Sequence, residues 1–147
     1  MRVVLDANNL ISYLLTVECL STISEIVRAA LEGRYQLLLP PGLLDEVAEV
    51  AKGGAYLSRR INPTRLSTLA AELTQVAIIV PRIGEQIPPV VRDRKDDYLL
   101  AYAVVGEADY LVTGDKDLLT IGQVGNLRIV NAHEFCAILR RGAEGLH

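Results

Sequence analysis

The stretch DRKDDYLLAYAVVGEADYLVTGDKDLL, residues 93–119, decides the fold that the sequence predicts. It opens on an acidic cluster and continues as a helical run over residues 98–105 and a short apolar strand over residues 110–113. Two further carboxylates, Asp115 and Asp117, follow that strand directly. Carboxylates at the start of a helix and just past the next strand are the components of a metal site.

The rest of the chain alternates between apolar strands and helices. Short, mainly apolar runs predict strands at residues 2–5, 36–39, 77–80 and 127–130, the first two of them buried. Helical patterns cover residues 8–16, 22–32, 43–52, 56–60, 63–75 and 132–141. Two capping boxes, Thr22 with Glu25 and Asn131 with Glu134, are expected to begin the second and the last of these helices. The alternation predicts an α/β fold of three layers, α/β/α, with a central parallel sheet of four to five strands.

Length and composition indicate one domain. The chain has 147 residues, half of them apolar, and residues 1–141 are expected to form the domain, with 142–147 as a flexible tail. A net charge of −3 and a pI of about 5.4 exclude a protein that coats nucleic acid through bulk positive charge, but they do not exclude a nucleic-acid enzyme. Cys19 and Cys136 have no metal-ligand spacing. Without a leader pattern or an apolar run of about 20 residues, a cytoplasmic protein that does not enter a membrane is expected.

Four separated carboxylates are expected to meet at one edge of the sheet. Asp6 ends the strand over residues 2–5, and Asp115 follows the strand over residues 110–113. Both therefore belong to the carboxyl edge of the sheet. Crossover helices start from that edge, which places Asp97 and Glu46 there too, because each lies near the start of such a helix. Ligands of open α/β sheets bind at this edge. These four residues are therefore predicted to be catalytic.

Three neighbouring acidic residues, Asp93, Asp96 and Asp97, are candidates for the metal ligand at the start of this helix. On a helical wheel Asp97 shares a face with Leu100 and Val104, which favours it as the residue turned toward the sheet. Asp96 is expected to cap the helix. Asp93 and Asp96 nevertheless stay open as alternative metal ligands.

The wheel is less decisive for Glu46. This residue borders the apolar stripe of its helix beside Val50, whereas Glu49 points further outward. Asp45 borders the other side of the stripe and stays open.

Carboxylates held close together would repel and raise one another's pKa, and a hard divalent cation removes that conflict. Mg²⁺ prefers oxygen ligands and takes one or two carboxylates together with water and substrate phosphate. Such a site suits phosphodiester hydrolysis. Asn8 and Thr113 are expected to hold the carboxylates by hydrogen bonds, and Asp117 either supports the site or caps the turn that follows it.

Basic side chains beside the predicted site are candidates for contacts with a phosphate backbone. This group consists of Arg92, Arg94, Lys95 and Lys116. A second and less favoured group consists of Arg59, Arg60 and Arg65.

Three segments of the chain resemble motifs of a known family, the PIN domain or PilT N-terminus family of metal-dependent ribonucleases. VVLDANNL, residues 3–10, resembles its first motif, and LLDEVAEV, residues 43–50, resembles the second. Residues 93–119 resemble the third and fourth motifs and are the most specific part.

The resemblance implies an endoribonuclease dependent on Mg²⁺ or Mn²⁺, with Asp6, Asp97 and Asp115 as metal ligands and Glu46 as a further catalytic residue. Many small members are toxins of type II toxin–antitoxin modules, so RNA, an antitoxin protein and a second copy of the chain are the implied partners. The alternative is a PIN-like module that binds RNA or protein without cutting. A dinucleotide-binding fold is disfavoured because GxGxxG is missing after the first strand. A haloacid-dehalogenase-like phosphatase is also disfavoured, because it would need a second Asp at position 8, where this chain has Asn8.

Overall fold

A central sheet of six strands carries helices on both faces. The computed structural model describes residues 1–16, 21–81 and 94–144, and the side chains of residues 94–97 and 143–144 are not among those described. The strands are β1 (Arg2–Leu5), β2 (Gln36–Leu39), β3 (Ile78–Ile79), β4 (Tyr110–Val112), β5 (Gln123–Val124) and β6 (Leu127–Val130). Their order is β3-β2-β1-β4-β6-β5, and every pairing is parallel except that of β5 with β6. The predicted α/β fold is confirmed, with one strand more than expected.

The helices are α1 (Ala7–Leu15), α2 (Thr22–Leu31), α3 (Leu43–Lys52), α4 (Ala55–Arg60), α5 (Pro63–Val76), α6 (Arg94–Val105), α7 (Lys116–Ile121) and α8 (Ala132–Glu144). The bounds of α3 are those that its sequence predicts, and α1, α2, α4 and α5 differ by no more than one residue at either end. Asn131 and Glu134 form the predicted capping box before α8. That helix continues three residues beyond position 141. Within the described ranges, no helix combines the length and the apolar character needed to cross a membrane.

Two apolar cores lie on opposite faces of the sheet, because alternate strand residues point to opposite sides. Val3 and Leu5 of β1 pack in the larger core with α1, α2, α3, α5 and α8. Val4 packs in the smaller core with α6 and α7. The same alternation separates Leu111 from Val112 in β4. A sheet covered on both faces needs this continuous apolar pattern.

The start of α2 differs from the prediction. Its N-cap is Ser21 rather than Thr22, and the Ser21 hydroxyl accepts a hydrogen bond from the Ser24 N–H at 3.1 Å. Glu25 is therefore not needed for a capping box, and its carboxylate instead accepts hydrogen bonds from Arg140 of α8.

Two short elements and one helix boundary also differ from what the sequence predicts. α7 has six residues, too few for a helical period to stand out, and it starts directly after Asp115. β5 has two residues and pairs with β6 across a turn in which Gly125 has a φ of +59°. α6 begins at Arg94, four residues before the expected start, so Asp96 and Asp97 fall in its first turn. Asp96 is accordingly the third residue of α6 and not its cap.

Candidate active site

The carboxyl ends of β1 and β4 form the topological switch point of the sheet. From β1 the chain builds outward through β2 and β3, and from β4 it builds through β6 in the opposite direction, so a crevice opens between the two central strands. Asp6 follows β1 and Thr113 follows β4. The Asp6 N–H donates to the Val112 carbonyl at 3.1 Å and joins the two strand ends.

Asp6 is held at this edge through both oxygens of its carboxylate. Oδ1 accepts a hydrogen bond from the Asn9 N–H at 2.8 Å, which makes Asp6 the N-cap of α1, and Oδ2 accepts one from the Thr113 hydroxyl at 2.6 Å. The residue is only 8% exposed. Burial raises the pKa of Asp6 above its usual value of 3.8, the hydrogen bonds from Thr113 and Asn9 oppose that rise, and the charge of Asp115 adds to it.

Thr113 connects Asp6 to Asp115. Its hydroxyl donates to Asp6 and accepts a hydrogen bond from the Asp115 N–H at 3.1 Å, so one buried side chain positions both acidic residues. Asp115 is half-buried and caps α7, with its Oδ1 accepting from the Asp117 N–H at 2.8 Å. Asp117 itself is exposed in the first turn of α7. It is not among the described residues that line the cleft next to Asp115.

A cleft of about 300 Å³ lies between these groups and brings in two more helices. The polar side chains that line it are Asp6, Asn8, Glu46, Thr113 and Asp115. The larger apolar ones are Leu43, Val50, Tyr98, Leu99 and Leu118. Carboxylates from β1, α3 and the end of β4 therefore share one cleft, with apolar surface beside them.

The position of Glu46 follows from the start of α3. Gly42 is the N-cap and has a φ of +84°, a left-handed conformation that glycine adopts without strain. Glu46 then lies in the first turns of α3, and both it and Val50, one turn later, line the cleft. Glu49 is exposed and is not part of the described lining.

Asn9 is a positioning residue that the sequence analysis does not identify. Its side-chain amide donates to the Val112 carbonyl at 2.7 Å while its N–H donates to Asp6, so it ties α1 to β4. The signal was a polar residue three positions after a strand-ending Asp, on an otherwise apolar helical face. Asn8, expected to bond a carboxylate, is exposed and lines the cleft, and no hydrogen bond joins it to Asp6 or Asp115.

The acidic start of α6 is described only in part. Asp93 lies outside the described residues, and the side chains of Asp96 and Asp97 are not described. The next residues of the helix, Tyr98 and Leu99, line the cleft, so the backbone of α6 enters at the expected edge. Val104, placed on the inward face by the helical wheel, is 46% exposed, so that part of the wheel assignment is wrong. The choice of Asp97 over its acidic neighbours stays a prediction.

The described side chains of the cleft offer the type of ligand atom that a hard divalent cation prefers. These atoms are carboxylate oxygens, and Asp6 is a buried acid whose charge lacks a cationic partner in the described part of the chain. Among the described residues, no group of three acidic, histidine or cysteine side chains is arranged to hold a metal ion. The side chain of Asp97, the further metal ligand that the sequence predicts, is not among those described.

The basic residues predicted to contact nucleic acid are described unevenly. Lys116 is exposed at the first position of α7, next to Asp115. Arg92 lies outside the described residues, and the side chains of Arg94 and Lys95 are not described. Arg65, in the less favoured group, bonds to backbone carbonyls at the end of α1 and has a structural role.

In a comparison with protein families, the family model described as PIN domain matches residues 2–117. This range contains all four predicted catalytic residues and excludes β5, β6 and α8. No curated protein matches the chain.

Proposed function

Because the chain belongs to the PIN-domain family, whose members are usually nucleases, we propose that it is an endoribonuclease that hydrolyses phosphodiester bonds of single-stranded RNA with Mg²⁺ or Mn²⁺. The observation that carries the proposal is the cleft at the switch point of the sheet. It collects Asp6, Glu46 and Asp115 from three different elements. Such a convergence of acids is costly for folding and is typical of catalytic sites.

The acidic residues of the cleft have separate roles in the proposed hydrolysis. Asp6 and Asp115 would hold the metal together with Asp97, and Thr113 keeps the first two in register because it bonds to both. When bound, the cation would lower the pKa of the attacking water and stabilise charge on the leaving oxygen. Glu46 orients that water and accepts its proton. The water oxygen bonds to phosphorus as the bond to the leaving ribose oxygen breaks.

The test is cleavage of an end-labelled single-stranded RNA by purified protein. We expect cleavage with Mg²⁺ or Mn²⁺, none with EDTA, and a loss of at least about 100-fold in Asp6→Asn, because the charge that binds the metal is gone. Activity that persists in EDTA or in Asp6→Asn would contradict the proposal. RNA binding without cleavage in any of these metals would instead support the non-catalytic PIN-like module.

The proposal extends to biological context through the resemblance of the sequence motifs. A toxin of a type II toxin–antitoxin module, acting in the cytoplasm as a homodimer and silenced by an antitoxin protein, is the context we propose. Expression in a bacterial host should then arrest growth for the wild type and not for Asp6→Asn. Equal growth of the two strains at equal protein levels would reject the toxin role and leave the nuclease proposal standing.

A further inference from the structure

A basic segment without acidic residues follows the catalytic helix α3. From residue 50 to residue 71 the chain contains four basic residues and no Asp or Glu, within a protein whose net charge is −3. The four are Lys52, Arg59, Arg60 and Arg65. Since the rest of the chain is acidic, this segment is a local reversal of charge and not a sample of the average surface.

The structure separates these four cations into two kinds. Arg65 is half-buried and donates hydrogen bonds to three backbone carbonyls, so its charge is used inside the fold. Lys52, Arg59 and Arg60 are exposed at the end of α3 and on α4. In the part of the chain that is described, no carboxylate forms an ion pair with any of these three.

An aromatic ring lies among the free cations. Tyr56 of α4 is 66% exposed, and the Arg60 guanidinium carbon lies 5.2 Å from the centre of its ring. This cation–π contact holds the arginine against one face of the ring. Exposed aromatic rings interleaved with cations are the combination that single-stranded nucleic acids bind, because bases stack on the ring and phosphates contact the cations.

The basic helix α4 follows α3, the helix that carries Glu46, directly in the chain. Val50 lines the cleft one turn after Glu46 and is 39% exposed. Lys52 ends α3 two residues later, and α4 packs against α3 across Gly53 and Gly54. α4 is therefore attached to the helix that brings Glu46 into the cleft.

We propose that α4, with Lys52, Tyr56, Arg59 and Arg60, is an extended RNA-binding surface that holds the single strand on one side of the scissile phosphate. The arginines contact phosphates, and Tyr56 stacks on a base. This inference rests on the proposed ribonuclease function for the identity of the ligand. It assigns binding to a helix outside the acidic cleft and outside the basic group around residues 92–95.

The experiment measures the affinity of a labelled single-stranded RNA in EDTA, so that binding is separated from cleavage, over a series of salt concentrations. Each phosphate contact contributes about 0.7 to the slope of log Kd against log salt for a single strand. Arg59→Ala with Arg60→Ala should therefore weaken binding and lower that slope by about 1.4. The matched control is Arg128→Ala with Arg141→Ala, which removes the same charge from exposed positions on β6 and α8 and should leave the slope unchanged.

A second variant tests the stacking role. Tyr56→Ala should weaken RNA binding by about fivefold or more without changing the salt slope, and Tyr56→Phe should restore it, because stacking needs the ring and not the hydroxyl. Melting curves identify any variant that has lost its fold. If RNA binds but the arginine variant behaves like its control, the inference is wrong and α4 is a solvated or protein-binding helix. If RNA binds through α4 but is never cut, the nuclease proposal fails and the inference stands.

Discussion

Asp6 meets two demands that oppose each other. As the N-cap of α1 it satisfies the Asn9 N–H and belongs to the fold, and as a buried carboxylate beside Asp115 it carries a charge that the fold disfavours. The hydrogen bonds from Thr113 and Asn9 reduce this penalty without removing it, since burial remains the larger influence on its pKa. The divalent cation that we propose for this site would offset that charge.

Replacing Asp6 with Asn should therefore stabilise the metal-free protein. Asn is also a good N-cap, so the bond to Asn9 survives, and the Thr113 hydroxyl accepts from the new amide. We expect a gain of about 1 kcal/mol, or a few degrees in Tm. The measurement is four melting curves, wild type and Asp6→Asn, each with Mg²⁺ and with EDTA. Mg²⁺ should raise the Tm of the wild type only, because ligand binding stabilises the folded state. A lower Tm for Asp6→Asn in EDTA would show that its carboxylate is needed for folding.

The two glutamates of α3 offer a matched pair for catalysis. Glu46 lines the cleft and Glu49 does not, although both are exposed on the same helix. Glu46→Gln should lower kcat by about 100-fold if it accepts a proton, whereas Glu49→Gln should leave kcat within about twofold. Single-turnover cleavage at equal metal concentration compares them. If Glu49→Gln were inactive while Glu46→Gln kept the kcat of the wild type, Glu49 and not Glu46 would be the catalytic glutamate of α3.

At the scale of elements, the end of α1 depends on a residue from α5. The Arg65 guanidinium donates to the carbonyls of Tyr13, Leu14 and Thr16 at 3.0–3.2 Å and lies 5.0 Å from the centre of the Tyr13 ring. The last carbonyls of a helix have no partner within the helix, and a positive charge there is favourable. α5 is thereby attached to the helix that Asp6 begins.

Arg65→Ala should destabilise the protein by about 2 kcal/mol, because several charge-assisted hydrogen bonds are lost together. The stability of Arg65→Lys should lie between those of the wild type and Arg65→Ala, because lysine keeps the positive charge but lacks the planar guanidinium with its several donors. Urea unfolding measures both, with Arg59→Ala as the control for removal of an exposed arginine. Equal stabilities for Arg65→Ala and Arg59→Ala would show that the Arg65 contacts contribute little.

Long elements with a clear period were predictable from the sequence, and short ones were not. α3 has its predicted bounds because ten residues with one apolar stripe and two following glycines leave little choice. α7 and β5 have six and two residues and are fixed by tertiary contacts, so their sequences carry little signal. The early start of α6 does not follow from the sequence, because Asp96, which is favoured there as the cap, lies in the first turn.

The candidate site was predictable to the extent that topology determines it. Parallel strands bring Asp6 and Asp115 to one edge whatever the side chains do, and the start of α3 adds Glu46 to the same cleft. The contacts within the site were less accessible to sequence analysis. The bond from Asn9 to the Val112 carbonyl crosses 103 positions of sequence and depends on how α1 packs.

On the scale of the whole molecule, charge is distributed in a way that net charge hides. Of the cleft carboxylates, Glu46 belongs to the same segment as the cations of Lys52 and α4, and Asp6 and Asp115 come from other elements. A cleft without metal repels a phosphate backbone, and a neighbouring basic surface offsets that repulsion. The acidic pI therefore does not argue against RNA as the substrate.

An ion pair joins α2, in the first part of the chain, to the last helix α8, and its effect on stability should depend on pH. Arg140 of α8 donates to both oxygens of Glu25 of α2 at 2.9 and 3.3 Å, and the Cys136 thiol donates to the same carboxylate at 3.2 Å. The hydrogen bonds from Arg140, and then that from Cys136, hold the pKa of Glu25 below its usual value of 4.5. A lowered carboxyl pKa means that the contribution to stability is complete above pH 4.5 and is lost as the pH falls through the folded-state pKa.

Glu25→Gln should accordingly melt about one to two degrees below the wild type at neutral pH, and the difference should close in acid as the wild type takes up its proton. The matched control is Glu72→Gln, since Glu72 is exposed on α5 and has no ion pair among the described residues. Its melting temperature should follow the wild type at every pH. Thermal unfolding of the three proteins in EDTA, from neutral pH to about one unit below the usual carboxyl range, measures the effect without interference from the metal. A difference for Glu25→Gln that stays constant over this range would mean that the contact acts through packing of α2 on α8, and that its charge contributes nothing.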